Sequence, residues 1–179
     1  DFSNLKVSSL VSYSGERLET VLFRGNQMFF TEFSQTVISL NSKISSGDWL
    51  FENLDFYYVG LTVNSSKSQV ERYALFLLFA ANTTSETNRI KFIDCMFENI
   101  WIVPASKKDL ATESNLISVG SFQALNFKNL DVISAQIQTS GNLIYIINSP
   151  VVAIEDSSFH NISIKSQTGM ISTFAYEGW

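Results

Sequence analysis

A short phrase recurs five times in this chain of 179 residues: Phe2-Ser3-Asn4-Leu5, Phe51-Glu52-Asn53-Leu54, Phe97-Glu98-Asn99-Ile100, Phe127-Lys128-Asn129-Leu130 and Phe159-His160-Asn161-Ile162. After each copy come one variable residue and then an apolar one: Val7, Phe56, Ile102, Val132 and Ile164. The pattern is F-x-N-[LI]-x-[VIF], and successive Phe residues lie 49, 46, 30 and 32 positions apart. One such unit cannot bury its own apolar face, so repetition at this scale favours stacked architectures.

Two further phrases fall between the copies. Asn115-Leu116-Ile117-Ser118-Val119 matches Asn142-Leu143-Ile144-Tyr145-Ile146 and Gly169-Met170-Ile171-Ser172. Ile90-Lys91-Phe92-Ile93-Asp94 parallels Val152-Ala153-Ile154-Glu155-Asp156, each ending three residues before its Phe. Every repeat thus holds three short strand-like segments with alternating apolar residues, separated by polar turns. The expected fold is all-β, a right-handed parallel β-helix of five or six coils. An antiparallel sandwich is the alternative, but it needs tight hairpins, and neither Asn-Gly nor Asp-Gly occurs.

Strands of successive coils lie about 4.8 Å apart, so equivalent residues stack. The expected interior is Phe51, Phe97, Phe127, Phe159, Leu54, Ile100, Leu130 and Ile162. Asn is expected at the corners, because it tolerates left-handed backbone and its amide can bond to neighbouring coils. Glu52, Glu98, Lys128 and His160 are expected to face outward. The long interval from Phe51 to Phe97 reads as one coil of Leu54–Val63, Tyr73–Ala80 and Ile90–Phe92, lengthened by polar loops near 65–71 and 82–89. Between Phe2 and Phe51, the stretch Phe33-Ser34-Gln35-Thr36-Val37-Ile38 could be a degenerate copy.

Composition agrees with strand. Ser, Thr and Asn number 51 and Phe 15, against only 16% charged residues. Net charge is −5, with no basic run longer than Lys107-Lys108, which argues against nucleic-acid binding. The longest apolar run, Ala74–Ala81, is far shorter than the roughly 20 residues of a spanning helix, so no transmembrane segment is expected. Cys95, the one cysteine, sits in an apolar stretch and reads as a buried structural thiol.

The repeat resembles the right-handed β-helix regions of large secreted and surface proteins, in style those of ciliates and other protists. It is also similar to the Phe/Asn repeats of chlamydial polymorphic outer-membrane proteins, which show F-x-x-N and a Gly-Gly partner phrase where this chain has F-x-N. The resemblance covers nearly the whole chain and implies an extracellular or cell-surface location. It implies architecture rather than activity.

Candidate chemistry is sparse. Arg89-Ile90-Lys91 matches one of the four motifs of β-helical polygalacturonases, and the other three are missing; Ile90 is expected to point inward between two solvated cations. Glu155-Asp156 is the only adjacent acidic pair and lies near the single histidine, His160. Ile93 and Gln123 are expected to stack beside Glu155, which leaves it without a carboxylate partner. No catalytic residue, cofactor or metal site is therefore expected. Sequons begin at Asn64, Asn82 and Asn161. Asn64 and Asn82 are the expected glycosylation sites, beside loop insertions, and Asn161 is not, because a glycan would break a corner stack. Trp101 is the candidate exposed binding aromatic, in the outward slot shared with Lys6, Asp55, Asp131 and Ser163, with Tyr57, Tyr58 and Tyr145 on strands nearby.

The expected function is a non-catalytic, glycosylated extracellular scaffold, part of a surface or filament assembly. The alternative is a carbohydrate-binding or polysaccharide-cleaving β-helix domain resembling pectate lyases, for which Asp94, Asp156 and Arg89 are the residues to test. Residues 1–179 read as one segment that enters and leaves in mid-repeat. Its expected partners are further coils of the same polypeptide or identical subunits stacked end to end.

Overall fold

The computed structural model of the chain describes residues 6–7, 9–64, 73–83, 88–165 and 170–174. Sixteen strands are present: β1 (Lys6–Val7), β2 (Val11–Leu18), β3 (Val21–Arg24), β4 (Gln27–Phe33), β5 (Ile38–Ser45), β6 (Trp49–Glu52), β7 (Asp55–Val63), β8 (Tyr73–Thr83), β9 (Arg89–Pro104), β10 (Glu113–Gly120), β11 (Ala124–Ile137), β12 (Ser140–Ile147), β13 (Val151–Glu155), β14 (Ser158–His160), β15 (Ser163–Ile164) and β16 (Ile171–Phe174). One short 3₁₀ turn, Lys107–Ala111, is the only helix among the described residues. None of those residues forms a helix long and apolar enough to cross a membrane. The first copy of the phrase, Phe2–Leu5, lies outside the described residues, as do positions 65–72, where a polar loop is expected, and the last five positions.

The strands form two sheets, and every pairing is parallel. A ten-stranded sheet runs β1-β4-β7-β9-β11-β13, with β3, β6, β14 and β15 joined to it; a six-stranded sheet runs β16-β12-β10-β8-β5-β2. Parallel neighbours need a long return between them, and here each return passes through the other sheet. In the second half the register is regular: Ile117 lies beside Ile144 and Ile144 beside Ile171, each 27 residues on. The second phrase therefore aligns as its sequence suggested. So does the third, because Ile90, Leu125 and Val152 occupy one row.

The five-fold phrase is different. Phe23, Phe51, Phe92, Phe127 and Ile154 form one row, while Met28, Phe56, Phe97, Val132 and Phe159 form another five residues further on. Phe51 and Phe127 thus belong to the first row, and Phe97 and Phe159 to the second. The copies do not all stack on one another as expected. The cause is an inner period of five: apolar, outward, left-handed, apolar, outward, apolar. Phe92-Ile93-Asp94-Cys95-Met96-Phe97-Glu98-Asn99 contains it twice, so F-x-N occurs at two phases of one unit. Phe33 is not a degenerate copy either; it pairs with Leu61, and Phe23-Arg24-Gly25 holds the place.

Left-handed backbone marks both phases. The first row of such residues is Gly25, Asn53, Asp94, Asn129 and Asp156, and the second is Tyr58, Asn99, Ser134 and Asn161, all with φ between 48° and 65°. Tyr58, Asp94, Asn99, Asn129 and Ser134 let the continuous strands β7, β9 and β11 bend, while Gly25, Asn53, Asp156 and Asn161 turn the chain between successive strands of the same sheet; Gly, Asn and Asp bear that conformation at least cost. The amide of Asn129 donates to Asp94 Oδ1 (2.7 Å) and that of Asn161 to Ser134 Oγ (3.0 Å). The expected corner bonds exist, but their acceptors are the Asp and Ser that alternate with Asn.

Between the sheets lies an aromatic interior. Phe23, Phe51, Phe92 and Phe127 stack in sequence, with centroids 4.7–5.5 Å apart and planes within 19°. Phe76 of β8 meets Phe51, Phe56, Phe92 and Phe97 edge-on from the other sheet. Phe51, Phe97, Phe127, Leu54, Ile100 and Leu130 are fully buried, as expected. Phe159, on β14, and Ile162, between β14 and β15, are only half-buried, because they lie at the last edge of the sheet among the described residues. In the six-stranded sheet Asn115 and Asn142 are buried and in register: Asn115 Oδ1 accepts from the Asn142 backbone N–H (2.8 Å), and Ser172 Oγ donates to Asn142 Oδ1 (2.9 Å).

Candidate functional site

Strand β9 carries Trp101 between Ile100 and Ile102, both core residues, so the indole faces away from the interior, but it is half-buried rather than exposed as expected. Its row runs Lys6, Glu32, Gly60, Trp101, Gln136 and Ser163. Lys6 and Ser163 were expected there; Asp55 and Asp131 were not found there, and flank Met96 instead, one bend earlier. Gly60 is what admits the ring. A Cβ at that position would fall 2.1 Å from Trp101 Nε1 and 2.2 Å from Cε2, so the indole lies across the bare backbone of β7.

Around the indole is an open groove of about 480 Å³, lined by Tyr58, Asn99, Trp101, Gln136, Gln138 and Asn161 among others. Four of the lining residues, Tyr58, Asn99, Ser134 and Asn161, are left-handed bend residues. Tyr58 is 42% exposed. Gln136 and Gln138 are exposed, and their side-chain amides have no hydrogen-bond partner among the described residues. The groove is lined by no carboxylate, lysine, arginine or histidine. Glu98, next to Asn99 in the chain, accepts a hydrogen bond from Asn99 Nδ2 (3.3 Å).

The other tyrosines divide. Tyr145 is buried, and Tyr57 stacks on Phe29 (5.0 Å, 7°). Partial burial, and then the carboxylates of Asp55 and Glu98, push the Tyr57 phenol above its ordinary value.

The remaining candidates do not converge. Ile90 is buried and Arg89 exposed, as the tripeptide reading expects, but Lys91, expected to be solvated, is half-buried and held by Asp48 (2.7 Å). Glu155 pairs with Lys128, and Lys128 with Ile93; Gln123, expected beside it, is displaced because the bends shift the register. Asp94 and Asp156 are bend residues on either side of Asn129 in their row. Cys95 is buried and donates to the carbonyls of Phe51 and Ile93; burial pushes its thiol up to about 11. Among the described residues no three of His, Cys, Asp or Glu are grouped to hold a metal ion.

Of the two expected glycosylation sites, Asn64 follows β7 directly, half-buried, its carbonyl accepting from Tyr73 Oη (2.9 Å). Asn82 is not in a loop: its backbone lies in β8, opposite Ile44. Asn161 is exposed at the groove. Comparison with family models, curated proteins and solved structures finds no match to the chain.

Proposed function

We propose that this chain is a non-catalytic scaffold: a right-handed parallel β-helix, extracellular or at the cell surface, glycosylated at Asn64 and Asn82, that stacks end to end with coils of its own kind. One observation carries the stacking. Among the described residues the inner row Phe51, Phe92, Phe127 is fully buried, yet its next member, Ile154 on β13, is 40% exposed. An interior-type side chain on a parallel edge that no described strand covers supports a further coil, from the same polypeptide or from a second subunit. The likeness of the repeat to β-helix regions of secreted proteins supports the location.

Sedimentation velocity across a concentration series tests the stacking. The chain is expected to self-associate, and Ile154→Lys to shift it towards monomer without loss of its strand spectrum. A monomer at every concentration would contradict the proposal. Mass spectrometry of the native glycoprotein tests the location, with glycans expected at Asn64 and Asn82.

The carbohydrate-active alternative draws support from the Trp101 groove, for binding rather than cleavage. Asp94 and Asp156 serve the bends, and Arg89 lies in a different groove from Trp101.

A further inference from the structure

We propose that the Trp101 groove binds a neutral saccharide, a pyranose ring lying on the indole and its hydroxyls reaching Gln136 and Gln138. The inference stands on the groove itself and not on end-to-end stacking. Four features point the same way. The indole lies across the wall over Gly60, where any side chain would displace it, and an aromatic face so presented suits the C–H face of a sugar ring. Beside it are exposed amides without partners, Gln136 and Gln138, which both donate and accept as hydroxyls do. The lining carries no formal charge, where a uronate or phosphate would call for Lys or Arg. The volume, about 480 Å³, falls in the range of small-ligand sites, roughly 300–1,000 Å³.

Tyr58 adds a fifth. In its row the bends are made by Asn99, Ser134 and Asn161, small polar residues suited to left-handed backbone. A tyrosine there, at φ 55°, is strained and leaves its ring 42% exposed in the groove. Strain of this kind is retained where the side chain serves something other than folding. The second aromatic is therefore assigned to the same ligand.

Isothermal titration of the unglycosylated chain with cellohexaose, mannohexaose, xylohexaose and chitohexaose tests this, with hexagalacturonate as the charged control. Trp101 fluorescence in a Trp179→Phe background is a parallel readout, since buried Trp49 is out of reach of a ligand in the groove. At least one neutral hexasaccharide is expected to bind, with affinity on the order of tenfold lower in Trp101→Ala. Tyr58→Asn is expected to weaken binding while its melting temperature holds or rises, which separates ligand contact from folding. Four results would overturn the proposal: no neutral hexasaccharide binding at low-millimolar concentration, binding of hexagalacturonate alone, binding undiminished in Trp101→Ala, or a native glycan on Asn161 already occupying the groove. A chain that binds sugar yet stays monomeric leaves this site intact and removes only the stacking.

Discussion

Asn53, Asn99, Asn129 and Asn161 share one backbone conformation, and that is why Asn is invariant among the four copies described. This much could be read from residue chemistry alone, since Asn tolerates left-handed φ. The equivalence of Asp94, Asp156, Ser134 and Gly25 could not, because a search for identical letters passes over residues chosen for the same φ. Tyr58 was harder still: nothing in a tyrosine announces a bend, and only its row exposes it. Cys95 was legible from its apolar neighbours, and its thiol gives a pH test. The neutral form is favoured in the fold, where the value rises from 9.0 to about 11. Its contribution is therefore complete below about pH 9 and lost as the pH climbs through about 11, up to about 3 kcal/mol. Urea titrations of the wild type and Cys95→Ala should differ by a constant amount below pH 9 and converge above it; a difference that does not change with pH would show the thiol to be solvated.

Among elements, β9 and β11 carry most of the structure, running through two bends each while remaining in one ladder. The strand-like segments, and the placing of β7, β8 and the start of β9, were readable from alternation. Register was not. F-x-N fits both phases of a five-residue period, so aligning copies by that phrase shifts Phe97 and Phe159 by five residues against Phe51 and Phe127. That error moved Asp55 and Asp131 into the Trp101 row and Gln123 beside Glu155. The doublet Phe92-Ile93-Asp94 and Phe97-Glu98-Asn99 held the signal that would have prevented it. Packing consequences follow from the corrected rows. Phe127 stacks on Phe92, has Ile154 next to it on the other neighbouring strand, and is fully buried. Phe127→Ala is expected to cost about 3–5 kcal/mol, because neighbours fixed in ladders cannot close the void. Phe159→Ala, half-buried on the last strands, should cost clearly less. Equilibrium denaturation compares the two, and equal losses would mean that the interior is not graded towards that edge.

At the scale of the molecule, two all-parallel sheets share one interior, and the chain returns to each through the other. The groove at Trp101 exists only because β7, β9 and β11 lie side by side in one register; their members are separated in sequence by some forty and thirty-five residues, Gly60 to Trp101 to Gln136. For that reason the aromatic was legible in the sequence while its partners were not. The coil geometry is the claim on which the rest depends, and a cross-link tests it most directly. Lys128 and Glu155 are exposed and in register on neighbouring parallel strands, within the Cα separation a disulfide spans. In a Cys95→Ala background, Lys128→Cys with Glu155→Cys should oxidise readily to an intramolecular disulfide, read by mass spectrometry of the digest. Gln123→Cys with Glu155→Cys should not. Efficient closure of the 123–155 pair, or none at 128–155, would contradict the register and the coil with it.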